Sequence, residues 1–118
     1  MTARVIFIDD EVDFLNIQYE FFKHRYNVER YSDGTKFLDD FKCSESPTVL
    51  ILDLMMPMIS GDKVASKVKK QFGDKVKVLL LTAKQYVPSC ELENVDLLLH
   101  KPVNFGLLGS SIEQLVEN

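Results

Sequence analysis

The sequence predicts an α/β fold with a doubly wound, five-stranded parallel sheet. Three observations carry that expectation. Four short runs are apolar on consecutive residues, segments with helical spacing separate them, and strand and helix alternate five times within 118 residues. A strand buried on both faces reads as an unbroken apolar run, and right-handed crossovers then place helices on both sides of the sheet. Taking the elements in order, Val5 to Ile8 forms the first strand. Val12, Leu15, Tyr19 and Phe22 then fall on one face of a helix. Asn27 to Tyr31 alternates between apolar and polar residues and reads as an edge strand, followed by a helix presenting Phe37, Leu38 and Phe41. Thr48 to Leu52 is the third strand. The next helix carries Val64, Val68 and Phe72, with Ser60 placed as its N-cap and Gly73 as its end. Val76 to Leu81 and Val95 to Leu99 are the fourth and fifth strands. Pro88 interrupts the stretch between them, so the fourth helix is expected to be short or irregular, over Ser89 to Glu93 with Ser89 as cap. A last helix carries Leu108, Ile112 and Leu115 behind an Asn104 cap.

Composition narrows the functional classes. At 46% hydrophobic and 27% charged the chain is that of a folded globule, and its length fits one domain over residues 1–118 with no effector domain. The formal charge of −4 argues against direct nucleic-acid binding, which normally draws on a surplus of Lys and Arg. From Asp62 to Lys84 seven Lys face two Asp, and Lys63, Lys67 and Lys70 share a helix face, read as a solvated surface. No apolar run is long enough for a membrane span or a signal-peptide core. Cys43 and Cys90 lack metal-like spacing and are expected as reduced thiols, consistent with a cytoplasmic protein. His24 and His100 are read as a surface and a loop residue.

Ligands of doubly wound sheets bind beyond the carboxyl ends of the strands, where the winding changes direction. Asp9 and Asp10 end the first strand, Asp53 the third and Thr82 the fourth, while Lys101 and Pro102 follow the fifth. Carboxylates gathered at one point repel, and a hard divalent cation such as Mg2+ relieves that repulsion while retaining water and phosphate oxygens. A Lys supplies a positive charge for a phosphoryl oxygen and a Thr hydroxyl can hydrogen-bond another. The residues alone therefore describe a site for an acidic nucleophile, a metal and a transferred phosphoryl group. Singly, each residue has a commonplace explanation as a turn or cap, but all four strand ends point the same way.

In these residues the chain resembles a response-regulator receiver domain of two-component signalling, of the chemotaxis-regulator kind. The matching elements are Asp9-Asp10-Glu11, Asp53-Leu-Met-Met-Pro57 with Gly61, Leu81-Thr82-Ala83, and His100-Lys101-Pro102. The resemblance implies a flavodoxin-like (βα)5 fold with strand order 2-1-3-4-5. It implies that Asp53 accepts a phosphoryl group from a phosphohistidine on a sensor histidine kinase or a histidine phosphotransfer protein. Asp10, Asp53 and the Met55 backbone carbonyl would bind Mg2+, with Asp9 helping directly or through water. Thr82 would hydrogen-bond the phosphoryl group, and Lys101, ahead of a cis Pro102, would ion-pair with it. The chain would act on no substrate beyond its own phosphorylation and dephosphorylation, and an output protein would read its state.

Two departures from the family pattern stand out. Leu98 occupies the position of a usual Tyr or Phe, which puts the usual coupling of Thr to an aromatic in question, and Tyr86 is read as a surface loop residue. The interval from Thr82 to Lys101 is shorter than usual, so the customary dimer geometry is not assumed. Bulky, apolar Met55 beside the acceptor, with Lys84 two residues after Thr82, leads to an expectation of slow autodephosphorylation. A second reading is a receiver-like interaction module that is never phosphorylated. A haloacid-dehalogenase-like phosphatase is set aside because Met55 stands where it needs a second Asp, and no GxxxxGK phosphate loop is present.

Overall fold

The computed structural model describes residues 2–118. Its strands are β1 (Arg4–Ile8), β2 (Asn27–Tyr31), β3 (Thr48–Asp53), β4 (Val76–Thr82) and β5 (Leu97–His100). Its helices are α1 (Val12–Phe22), α2 (Gly34–Asp40), α3 (Gly61–Phe72) and α4 (Phe105–Glu117). All neighbouring strands are parallel, in the order β2-β1-β3-β4-β5. The winding therefore reverses between β1 and β3, and β2 is an edge strand as its alternating sequence predicts.

Alternation along the central strands explains their unbroken apolar runs. Val5, Phe7, Val49, Ile51, Leu79 and Leu81 pack on one side against Leu15 and Phe22 of α1 and Leu108, Ile112 and Leu115 of α4. Ile6, Ile8, Leu50, Leu52, Val78 and Leu80 pack on the other against Phe37 of α2 and Val64, Ala65 and Val68 of α3. Both faces are dry, so every residue of β3 is buried, and full burial of each such aliphatic side chain contributes about 1.5–3 kcal/mol. That burial holds the strand ends, and whatever follows them, in fixed register.

Four local expectations are corrected. The buried face of α1 centres on Leu15, Gln18 and Phe22, which turns Val12 out to solvent. β5 begins at Leu97 and not at Val95, because the Asp96 carboxylate accepts the Val78 N–H at 2.7 Å, and regular pairing starts only at Leu97. The fourth helix is short and irregular as expected, a single 3-10 turn over Ser89–Glu91 where the sequence reading runs on to Glu93. Pro88 stands at its cap position in place of Ser89, and bonds from Glu91 to Pro88 and from Leu92 to Ser89 close successive three-residue turns. Ser60 does precede α3, but its side chain makes no cap bond, whereas the Asn104 side chain accepts the Leu107 N–H at 3.1 Å.

Lys69 also leaves the basic surface predicted for the Asp62 to Lys84 segment. Its ammonium donates to the Val76 carbonyl at 2.7 Å and pairs with Asp96 at 2.8 Å, tying the end of α3 to the start of β4 and the turn before β5. Lys63, Lys67 and Lys70 are exposed or nearly so on α3, with no ion pair among the described residues. Both cysteines are free.

Candidate functional site

The strand order brings the carboxyl ends of β1, β3 and β4 side by side, so Asp9, Asp53 and Thr82 emerge at one edge of the sheet. Asp9 is buried just after β1, and its Oδ1 accepts the Glu11 N–H at 2.9 Å. Asp53 ends β3, buried, with Oδ1 accepting the Met55 N–H at 3.2 Å. Asp10 lies on the solvent side. One carboxylate oxygen from each of Asp9, Asp10 and Asp53 falls within 4.8 Å of the others. Three hard oxygen donors that close suit Mg2+, so the residues fit the cation that the sequence implies.

Lys101 reaches this cluster across the sheet. Its backbone N–H donates to the Thr82 carbonyl at 2.7 Å, continuing the pairing of β4 and β5, and its peptide to Pro102 is cis. The ammonium donates to Asp9 Oδ2 at 2.9 Å, Glu11 Oε1 at 3.0 Å and Asp53 Oδ2 at 3.4 Å, and it sits 4.9 Å from the centre of the Phe14 ring on α1. Burial alone would lower its pKa, but the hydrogen bonds to Asp9 and Glu11 and the charges of Asp9 and Asp53 hold it above the ordinary lysine value. Lys101 therefore stays charged through the neutral range. Burial raises the Asp53 pKa, the Asp9 charge adds to that, and Lys101 and the Met55 N–H oppose it. A carboxylate destabilised in this way favours any arriving positive charge.

Thr82 is fully buried at the end of β4, and its hydroxyl accepts the Lys84 N–H at 3.1 Å. The Lys84 carbonyl meets His100 Nδ1 at 3.0 Å and its ammonium pairs with Glu91 at 3.4 Å. His100 is thus the last residue of β5 and braces the Thr82 loop; His24 is exposed. Leu98 is half-buried against the core layer of α2 and α3, and Tyr86 is exposed. Sequence reasoning did not assign Glu11 and Phe14 to this site. A capping acid and a helix aromatic look ordinary until Lys101, some ninety residues away in sequence, is folded onto them.

The response regulator receiver domain family matches residues 5–113. The chain belongs to that family. Receivers of this family serve as phosphoacceptor signalling domains in two-component systems, in which they work with sensor histidine kinases and output domains. It is 33% identical over 90 residues to the response regulator MprA of Mycobacterium tuberculosis, covering 74% of this chain and 37% of MprA. It is 36% identical over 83 residues to the sensor histidine kinase TmoS of Ectopseudomonas mendocina, covering 69% of this chain and 8% of TmoS. The receiver thus spans well under half the length of these relatives. The structure of response regulator TrrA of Thermotoga maritima in complex with Mg2+-BeF superposes with a TM-score of 0.85 at 29% identity, covering 96% of this chain and 98% of that one. The BeF3-activated DrrB receiver domain gives 0.88 at 25% identity, with both chains fully covered. No helix among the described residues is long and apolar enough to cross a membrane.

Proposed function

We propose that this receiver is a phosphorelay switch in which Asp53 takes a phosphoryl group from the phosphohistidine of a sensor histidine kinase or a histidine phosphotransfer protein. The observation that carries the reading is the convergence of Asp53 with two further carboxylates and with the Lys101 ammonium at 3.4 Å. An Asp53 oxygen forms the new O–P bond as the N–P bond breaks, and the electron pair returns to the imidazole. A carboxylate is a modest nucleophile, so the rate rests on alignment and on neutralising the phosphoryl oxygens. Asp9, Asp10, Asp53 and the Met55 backbone carbonyl would hold Mg2+, which when bound supplies positive charge to those oxygens. Lys101 supplies the second positive charge, and the Thr82 hydroxyl leaves the Lys84 N–H to bond the phosphoryl group. Phosphorylation adds negative charge at one strand end, and the Thr82 loop, braced by Lys84 and His100, is the element it biases.

The chain is in this reading a cytoplasmic signalling domain with no substrate beyond its own acceptor, acting through whichever output protein or domain reads the modified face. A non-phosphorylated interaction module is the second reading, kept open by Leu98 and by the shortened segment between Thr82 and Lys101. The deciding experiment incubates the protein with Mg2+ and either a small acyl-phosphate donor or beryllofluoride, comparing wild type with Asp53→Asn by intact mass and by NMR. Mg2+-dependent modification of wild type only is expected. No Mg2+-dependent change in wild type would leave the interaction module as the better account.

A further inference from the structure

We propose that Glu11 is a positioning residue that tethers Lys101 toward α1 before phosphorylation and yields it to the phosphoryl group afterwards. This inference rests on the phosphoacceptor reading and adds a competitor for its lysine. An ammonium has three N–H donors, and all three have partners here: Asp9 at 2.9 Å, Glu11 at 3.0 Å and Asp53 at 3.4 Å. The longest contact is the one to the phosphoacceptor. Glu11 and the Phe14 ring lie on the α1 side, and together they draw the ammonium away from Asp53.

The three carboxylates are not equivalent. The side chains of Asp9 and Asp53 are 4% and 8% exposed, whereas that of Glu11 is 65% exposed. A phosphoryl group on Asp53 presents additional oxygens to Lys101, and a donor must come free to meet them. Once Asp53 is an acyl phosphate it carries no carboxylate charge and its donor passes to the phosphoryl group, so the further donor must come from Asp9 or Glu11. Releasing Asp9 would strip a buried carboxylate of its ammonium, whereas releasing Glu11 returns it to water. The solvent-exposed contact is therefore the one that exchanges. Glu11 makes no side-chain bond as the N-cap of α1, so its contact with Lys101 is the only side-chain hydrogen bond it makes among the described residues.

Removing an exposed ion-pair competitor is worth about a two- to fivefold gain in apparent affinity for a phosphoryl mimic. The test measures beryllofluoride affinity at saturating Mg2+ for wild type, Glu11→Gln and Glu11→Asp, with circular dichroism confirming the fold of each. Asp keeps the charge but is one methylene too short to reach Lys101 in this geometry. The tether predicts that both variants gain by the same factor, and that the gain vanishes in a Lys101→Met background. A second readout is the Glu11 carboxyl carbon resonance, assigned by its loss in Glu11→Gln, which should move to the position of a free glutamate when beryllofluoride binds. Wild-type affinity in Glu11→Asp with a gain only in Glu11→Gln would reduce the effect to bulk charge and overturn the tether. So would an unmoved Glu11 resonance in wild type that has bound beryllofluoride. If wild type binds none with Mg2+, the phosphoacceptor reading fails and the tether falls with it.

Discussion

Substituting Gly61 with Ala tests whether the start of α3 fixes the position of the acceptor. A Cβ there would lie 2.3 Å from the Asp53 carbonyl oxygen, 3.0 Å from its carbon and 3.1 Å from the Leu54 Cα, all backbone atoms. None can swing aside as a side chain would. Asp53 is held in the β3–β4 ladder opposite Leu81, and the Gly61 N–H donates to the Leu54 carbonyl at 3.0 Å. Restoring an ordinary contact requires a relative shift of about 1 Å, and overpacking of that kind costs about 1–3 kcal/mol. Weakening the Gly61–Leu54 hydrogen bond adds about 1 kcal/mol, for a loss of about 2–4 kcal/mol in all. A displacement of about 1 Å at the acceptor should also slow Mg2+-dependent acyl-phosphate labelling about a hundredfold. The control is Gly73→Ala, about 18 Å away at the other end of α3. Gly73 has φ 59° and nothing within 4 Å of its added Cβ, so Ala there loses about 1–3 kcal/mol to backbone strain alone. Urea unfolding and labelling rates on both variants form the assay. Both should unfold at lower urea, but only Gly61→Ala should label slowly. Gly61→Ala with wild-type stability and rate would refute the reasoning that this close approach sets the Asp53 backbone.

Because burial and Asp9 raise the Asp53 pKa, the folded state holds that proton more tightly than the unfolded chain. The resulting stability is full below the ordinary Asp range and is lost as pH rises through it toward the raised value. In metal-free buffer, melting temperatures should therefore show Asp53→Asn gaining on wild type from acid toward neutral pH. Saturating Mg2+ should stabilise wild type by about 2.7 kcal/mol at a hundred times Kd, seen as a higher melting point that Asp53→Asn does not show. The Tyr26 hydroxyl is pushed up to about 12 by burial and by its hydrogen bond to Glu113, so the stabilisation is full below the ordinary tyrosine value and is lost as pH rises from there through about 12. Ultraviolet titration of tyrosinate should show a late step that Tyr26→Phe removes. Met55, bulky and exposed beside Asp53, should keep the phosphoryl group beyond the seconds range once the donor is removed, and Met55→Asn should shorten that lifetime.

The sequence alone determined the parallel sheet, because a strand dry on both faces needs apolar residues at every position, and β1, β3 and β4 show that run directly. It also marked Asp9, Asp10, Asp53, Thr82 and Lys101, since polar residues directly after such runs must emerge at the sheet's edge. Gly73 and Asn104 were legible because helix ends are satisfied by neighbours a few residues away. Tertiary structure decided the rest. Asp96 left β5 because its carboxylate found the Val78 N–H and Lys69, and Gln18 took an inner position on α1 that Val12 had promised to fill. Lys69 became a partly buried tie instead of a surface charge. Glu11 joined the site only when folding brought it to Lys101, as His100 came to brace Lys84. Periodicity reports how each segment meets its own burial, whereas a contact between distant side chains depends on how whole elements are set against one another.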